Sequence, residues 1–138
     1  MVSLNYQKLN LISQILMHKS SYELMELFVH NFSDKLIRSK IQVLDFGSKN
    51  VNGSYRNIFS DERYKYTGVD IEPGDNVDIV IDNSYYWPIF NSNEFDVIVS
   101  GQALEHTEFF WLIFKEFKRL LKPGGLLCCI APSSGYEH

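Results

Sequence analysis

Five short apolar runs follow residue 40, and a polar turn or a helix-like segment separates each run from the next. Runs of this length that are rich in β-branched residues are typical of strands buried on both faces of a parallel sheet. Their alternation with helices predicts an α/β fold with right-handed crossovers. The predicted strands are residues 41–46, 64–71, 77–81, 95–100 and 126–131.

The first forty residues carry a helical pattern. Ser20 and Glu23 have the spacing of a capping box, in which two side chains satisfy free backbone amides at the start of a helix. Apolar residues at helical spacing lie on both sides of this pair, so a helix is expected to restart there. A chain of 138 residues has about the length of one domain. We therefore predict an N-terminal helical segment over residues 1–40 and one sheet domain over residues 41–138.

Two further helices are predicted within the sheet domain. One is short, over residues 54–59, and the other covers residues 108–121. Residues 122–125 contain a proline and two glycines, and this stretch should end the longer helix. The apolar face of the longer helix is expected to be the stripe formed by Phe110, Phe114, Phe117 and Leu121.

Charge and composition narrow the partners and the compartment. The net charge of −4, without any run of like charges, argues against a nucleic-acid partner. No apolar stretch reaches the length of a membrane span, and polar residues interrupt the N-terminus where a signal peptide would be apolar. Cys128 and Cys129 are neighbours in a predicted strand, where they point to opposite faces and make a poor disulfide. We expect a soluble, cytoplasmic protein with no membrane partner.

Three predicted strands end in or beside a carboxylate. Asp45 lies at the end of the first strand, Asp70 at the end of the second, and Asp82 directly after the third. In open α/β sheets, ligands bind outside the carboxyl ends of the strands, where the strand order reverses. An acid there costs stability unless it is satisfied. One such acid could cap a helix, but three together point to a ligand that is rich in hydroxyl, amino and ammonium donors.

Two classes of nucleotide ligand compete for such a site. A dinucleotide-binding domain needs a G-x-G-x-x-G turn, but Lys49 stands where its second glycine belongs. Asp45 would also repel a pyrophosphate. S-adenosylmethionine carries no phosphate and offers a ribose diol, an ammonium group and a sulfonium. Carboxylates suit S-adenosylmethionine better, and the dinucleotide is kept as the alternative.

Five stretches resemble, in order, the motifs of class I S-adenosylmethionine-dependent methyltransferases, in the small-molecule branch known as type 11. Any one of these matches is weak evidence, whereas five in order at sensible spacing are specific. The resemblance extends over residues 41–131, which is most of the chain. It implies a Rossmann-like parallel sheet and S-adenosyl-L-methionine as the cofactor. The five stretches are residues 43–48, 66–70, 82–83, 95–100 and 120–126.

The resemblance also implies a role for each matched position. Asp70 would accept hydrogen bonds from both ribose hydroxyls, and Asp82 would accept one from the adenine amino group. Asp45 would hold the α-ammonium group. The other implied cofactor-binding positions are Gly47 and Ser48 under the methionine part, Ile71 on one adenine face, the Asn83 amide facing the ring, and Ser100 with Gly101 near the sulfonium.

The chain departs from the family pattern at three points. The first turn has Lys49 and Val51 where glycine is common. Only residues 72–76 separate the second and third strands, so a bare loop is expected in place of the usual crossover helix. The sequence ends soon after the fifth strand, whereas the family usually adds strands six and seven. We therefore expect a domain that is incomplete at its C-terminus, with an open fifth-strand edge that favours a homodimer.

The catalytic group is the least visible part of the pattern. Methyl transfer depends mainly on proximity and alignment, although a hydroxyl or amine acceptor also needs a general base. Glu105 and His106 are the candidates, and their alternative reading is the ordinary start of a helix. His18, His30 and His138 lack partners at metal-ligand spacing, so no metal is expected. We expect a small-molecule acceptor, and the competing hypothesis is a cofactor-binding protein or interaction module that does not catalyse.

Overall fold

Five parallel strands form one sheet in the computed structural model, which describes residues 19–51 and 53–131. The strand order is β3-β2-β1-β4-β5, and every neighbouring pair is parallel. The prediction of a Rossmann-like parallel sheet is confirmed. The strands are β1 (Ile41–Phe46), β2 (Tyr64–Asp70), β3 (Ile79–Val80), β4 (Phe95–Gly101) and β5 (Leu121–Ile130).

Within the described residues, two α-helices lie on opposite faces of this sheet. Helix α1 covers residues 19–32, and α2 is Phe110–Leu120. A helix is present from Ser20 onward, as predicted, although residue 19 is helical as well. The predicted helices before residue 19, and with them the predicted break, lie outside the described residues, and the boundary at residue 40 stays a prediction. The same part of the chain contains three short 3-10 turns, namely Ser33–Lys35, Tyr55–Phe59 and Leu104–His106.

The sheet separates two apolar clusters. Alternate residues of β1 point to opposite faces, so Val43 belongs to the cluster that includes Met25 of α1, while Leu44 belongs to the cluster that includes α2. The free thiols of Cys128 and Cys129 divide in the same way between the two clusters, as their adjacency predicts. The described part of α1 therefore shares its core with the sheet.

Helix α2 buries Phe117 of the predicted face but not the rest of that stripe. Phe110 and Phe114 are exposed, whereas Glu116 is buried. The Glu116 carboxylate accepts hydrogen bonds from the Arg119 guanidinium at 2.7 Å and from the backbone amide of Trp87 at 3.1 Å. Because these donors satisfy the carboxylate, it can face the interior without an unpaired charge. The residues that α2 buries are Ile113, Glu116, Phe117 and Leu120.

The crossover from β2 to β3 is a loop, as the short spacing predicts. Residues 71–78 contain no helix, and β3 is reduced to two residues that pair with Val69 and Asp70. The amide of Asp78 donates to the carbonyl of Gly68 at 2.8 Å. Asn76 adopts a positive φ of 70°, which closes the turn just before β3.

Strand β5 begins five residues earlier than predicted. Phe95 pairs with Leu121, and regular pairing resumes only at Leu126, so residues 122–125 form a bulge within the strand. The buried carboxylate of Asp96 anchors this bulge by accepting a hydrogen bond from Lys122 Nζ at 2.8 Å. The stretch with the proline and the glycines comes directly after the end of α2, as predicted. It is part of strand β5, however, and not a turn before the strand.

The outer edge of β5 has no partner strand among the described residues. The apolar residues from Leu126 to Ile130 are only half-buried, as is usual for an edge strand. Self-association through this edge stays a prediction. In the part of the chain that the structure describes, no helix has the length and apolar character needed to cross a membrane.

Candidate functional site

The carboxyl ends of the strands form the edge on which the predicted site residues lie. The strand order reverses between β1 and β4, because the chain runs outward from β1 to β3 and then returns beside β1. The register places Asp70 and Gly101 each one residue beyond the level of Phe46. Asp82 lies two residues beyond the β3 residue that pairs with Asp70. The fold thus brings the predicted strand-end residues to one edge of the sheet.

The turn after β1 is fixed by two backbone hydrogen bonds and one close approach. The amides of Gly47 and Ser48 donate to the carbonyl of Val69 at 2.9 and 3.1 Å. Gly47 has φ +75°, and a Cβ at this position would overlap the Ala103 side chain. Only glycine meets both conditions without strain. Ser48 is buried, and its hydroxyl donates to the carbonyl of Asn76 at 3.1 Å.

Lys49 extends along the loop that follows β2. Its Nζ lies 2.5 Å from Glu72 Oε2, and its aliphatic carbons pass over Gly74. The hydrogen bond between the Lys49 and Glu72 side chains raises the pKa of Lys49 and lowers the pKa of Glu72. Because Glu72 is exposed, this ion pair adds little to stability. A lysine is therefore accommodated in this turn where the family commonly has glycine.

Asp70 joins the two loops that meet at the end of β2. Its Oδ2 accepts from the amide of Lys49 at 3.0 Å, and its Oδ1 accepts from the amide of Glu72 at 3.1 Å. Each carboxylate oxygen has two lone pairs, so both retain capacity for another donor. Ile71, the next residue, is 55% exposed and offers an apolar surface beside this carboxylate.

Asp45 belongs to a buried polar network that the sequence did not predict. The carboxyl is 3% exposed and accepts a hydrogen bond from the Tyr66 hydroxyl. The Asn76 amide group donates to the Tyr66 oxygen at 3.1 Å, and Arg56 Nε donates to Asn76 Oδ1 at 2.6 Å. Arg56 also pairs with Asp78 at 2.6 Å. The network links the end of β1 to the loop before β3 and to the Tyr55–Phe59 turn.

Burial controls the protonation of this network. It raises the pKa of Asp45 to about 7, although the Tyr66 hydrogen bond and the Arg56 charge act in the opposite direction. Burial, together with the Asp45 charge, also raises the pKa of Tyr66. Strongly shifted carboxyls of this kind concentrate at functional sites. Asp45 is thus poised to change its protonation near neutral pH.

Asp82 and Asn83 lie on the exposed loop after β3. Asn83 Oδ1 accepts from the amide of Tyr85 at 2.7 Å, which holds the loop in a tight turn. The aromatic residues that follow divide between core and surface. Trp87 is buried against Phe46 at a ring distance of 5.0 Å, while Tyr86 is exposed.

Glu105 and His106 lie in the 3-10 turn Leu104–His106, which follows β4. Both side chains are exposed. The turn leaves the same sheet edge as Gly101, so both residues are available to a molecule bound there. Their catalytic role stays a prediction.

Ser100 and Gly101 end β4 in different environments. Ser100 is 1% exposed, and its hydroxyl donates to the carbonyl of Phe46 at 3.0 Å, so it joins β4 to β1. Gly101 is covered by the ring of Tyr55, and a Cβ at Gly101 would overlap the Tyr55 hydroxyl. Tyr55 was not predicted as a site residue, since no motif in the sequence marks it.

The parallel sheet and its strand order place this protein in the Rossmann-like α/β class. The sequence profile of the methyltransferase domain family, type 11, matches residues 44–129. The chain belongs to this methyltransferase family, and membership of the family implies S-adenosylmethionine as the cofactor. No curated protein matches the chain.

Solved structures share the fold at low sequence identity. A proposed S-adenosyl-L-methionine-dependent methyltransferase from Methanococcus maripaludis is 19% identical, with a TM-score of 0.61 over 89% of this chain and 61% of that one. The trans-methyltransferase CalH, in complex with S-adenosylhomocysteine, is 21% identical, with a TM-score of 0.55 over 68% of this chain and 33% of that one. The [4+2]-cyclase SpnF is 18% identical, with a TM-score of 0.58 over 74% of this chain and 43% of that one. The chain therefore spans less than two thirds of each of these proteins.

The donor and acceptor set at this edge fits S-adenosylmethionine chemically. Asp45, Asp70 and Asp82 supply acceptors for an ammonium group, a diol and an amine, which are the donors of that cofactor. The positive φ of Gly47 gives the close-packed turn that a ligand at the strand ends requires. At Gly101 the Tyr55 ring occupies the side where a Cβ would lie, so a ligand that packs on this side displaces the ring.

Proposed function

We propose that the chain is the cofactor-binding part of an S-adenosylmethionine-dependent methyltransferase that acts on a small-molecule acceptor. The observation that carries this proposal is the convergence of strand-end carboxylates at the sheet reversal point, in a chain whose residues 44–129 match the methyltransferase domain. The net charge of −4 supports a small molecule over a nucleic acid as the acceptor.

The ends of β1, β2, β3 and β4 all contribute contacts to the proposed site. Asp70 accepts from the ribose hydroxyls with the lone pairs that its two backbone contacts leave free. Asp45 attracts the α-ammonium group, which favours the ionised form of this carboxyl. Asp82 accepts from the adenine amino group on the exposed loop. Further contacts come from Gly47 and Ser48 at the turn, Ile71 and Asn83 beside the adenine, and Ser100 with Gly101 at the end of β4.

The chain's own contribution to the reaction is placement. When bound, S-adenosylmethionine supplies a methyl group that its sulfonium already activates. Holding donor and acceptor in line accounts for most of the acceleration of such a displacement. Glu105 or His106 accepts the acceptor's proton if the methylated atom is a hydroxyl oxygen or an amine nitrogen, because both residues are exposed beside the end of β4.

A non-catalytic protein or an interaction module with the same fold is the second candidate. One observation favours a role other than methyl transfer, because SpnF, which shares the fold, is a [4+2]-cyclase. A fold by itself does not determine a reaction. The two candidates differ in whether S-adenosylhomocysteine is produced.

Turnover with two matched variants separates these candidates. The protein is incubated with S-adenosylmethionine and a panel of small hydroxyl and amine compounds, and S-adenosylhomocysteine is quantified by chromatography. The proposal predicts product that depends on one class of acceptor. If Glu105 or His106 is the base, its glutamine variant should lower kcat by about 100-fold or more, while the other variant serves as the control. Cofactor binding without product from any acceptor would favour the non-catalytic candidate.

A further inference from the structure

The ring of Tyr55 lies beside the point where the strand order reverses. This point lies between the ends of β1 and β4. A Cβ at Gly101, at the end of β4, would overlap the Tyr55 hydroxyl oxygen, so no side chain larger than hydrogen fits there. A Cβ at Gly47, on the β1 side, would overlap the Cβ of Ala103. The chain's own side chains therefore pack against both strand ends at the place where a fold of this kind binds its ligand.

One hydrogen bond from α1 holds the Tyr55 side chain in this position. It joins the Tyr55 hydroxyl to the hydroxyl of Ser21, which is buried on α1. Burial raises the pKa of Tyr55 to about 12, so the phenol stays protonated at neutral pH and keeps its donor. Thirty-four residues separate Ser21 from Tyr55, so this contact ties α1 to the turn that carries the ring.

The turn that carries Tyr55 is anchored on both sides of this residue. The Gly53 amide donates to Asn50 Oδ1 at 2.9 Å, and the Ser54 hydroxyl accepts from the amide of Arg56 at 3.0 Å. The Arg56 side chain donates to Asn76 and Asp78, each at 2.6 Å, and Phe59 at the end of the turn is buried. Displacement of the ring is therefore a rotation of the Tyr55 side chain and not a movement of the turn.

We propose that Ser21 and Tyr55 form a latch, which holds the Tyr55 ring against Gly101 and must open before a ligand can pack on that side of the glycine. The latch rests on the proposed function, because the ligand that it excludes is the S-adenosyl group. Its physical consequence is a population effect. Only the fraction of molecules with the ring displaced is competent to bind, and the apparent affinity is reduced by that fraction.

The first measurement is the association rate of S-adenosylhomocysteine by surface plasmon resonance. Ser21→Ala and Tyr55→Phe each remove the latch hydrogen bond and leave the ring in place. Each variant should associate about three- to tenfold faster than the wild type, which is the shift expected from losing one hydrogen bond. Ser39→Ala, at an exposed bend, is the matched control and should leave the rate unchanged. Thermal melting confirms that each variant is folded.

The second measurement is hydrogen exchange without any ligand. Amides of residues 19–32 and 55–59 should exchange faster in both latch variants than in Ser39→Ala, because α1 and the turn are no longer tied together. Unchanged exchange in both variants would overturn the latch, whatever the ligand does. Unchanged or slower association in variants that bind would also overturn it and would make Tyr55 a ligand contact. If neither the wild type nor the variants bind S-adenosylhomocysteine, the proposed cofactor is wrong, and exchange alone decides the latch.

Discussion

At pH 8, the Asp45→Asn variant is expected to have a free energy of unfolding about 2–4 kcal/mol higher than that of the wild type. Asp45 is buried, and burial raises its pKa to about 7 from an ordinary value of 3.8. At pH 8 the folded wild type must hold an ionised carboxylate in a poorly solvated place. Asparagine has nearly the same shape, carries no charge and can still accept from Tyr66.

The pH dependence of this effect follows from linkage. A carboxyl whose pKa is higher in the folded than in the unfolded protein binds more protons when folded, so wild-type stability falls as pH rises. For Asp45 this loss extends from about pH 4 to about pH 7 and is complete above that range. The advantage of Asp45→Asn should therefore be largest at pH 8 and less than half as large at pH 5. Urea unfolding of both proteins at pH 5 and at pH 8 measures this difference in the free energy of unfolding.

Asp75→Asn is the control, since it removes an exposed carboxylate from the nearby loop. It should change the unfolding free energy by less than about 0.5 kcal/mol at either pH. If Asp45→Asn were no more stable than the wild type at pH 8, the carboxyl would not be held in an unfavourable environment. A buried acid that lowers stability suggests a function for which the charge is needed. Under the proposed function, that charge attracts the ligand's ammonium group.

Asp70→Ala is expected to weaken binding of S-adenosylhomocysteine by about 1.5–3 kcal/mol, the range for a hydrogen bond to a charged group. This is about a 10- to 150-fold rise in Kd. The structure adds a second possible cause, because Asp70 also accepts from the amides of Lys49 and Glu72. Loss of these contacts could loosen both loops and weaken any ligand bound between them.

A cycle of one substitution and one change in the ligand separates the two causes. The second ligand is the 2′,3′-dideoxy analogue of S-adenosylhomocysteine, which lacks the ribose hydroxyls. If Asp70 binds the diol, the wild type should prefer the natural ligand, and Asp70→Ala should bind both ligands about equally. A loss of the same size for both ligands would assign Asp70 to the loops alone. Asp75→Ala controls for removal of a nearby exposed charge.

The central strands were predictable because their signal is local. Residues 41–46 and 95–100 are apolar runs with β-branched residues, and a glycine follows each run. The bounds of both predicted strands agree with those of β1 and β4 to within one residue. The loop crossover before β3 was also predictable, since five residues cannot form a helix that packs across the sheet. The strand-end carboxylates follow from the same patterns, because strand ends in a parallel sheet meet at one edge.

Features that depend on distant partners were not predictable. Strand β5 starts at Leu121 because Asp96 binds Lys122 and holds a bulge in register. The proline and glycines in this bulge are not typical of a strand, so the sequence predicted a later start. The buried face of α2 rotates because Arg119 and the Trp87 amide satisfy Glu116. The Asp45 network and the contact of Tyr55 with Gly101 join residues 10 to 46 positions apart, and no local pattern marks them.

Calorimetric titration of the wild-type protein with S-adenosylhomocysteine and, separately, with NAD tests the central claim most directly. The two ligands share an adenosine, but only NAD carries a pyrophosphate, and only S-adenosylhomocysteine carries an α-ammonium group. Carboxylates at the strand ends and a glycine-poor turn predict saturable binding of S-adenosylhomocysteine, with NAD bound at least about tenfold more weakly. Tighter binding of NAD than of S-adenosylhomocysteine would contradict the account.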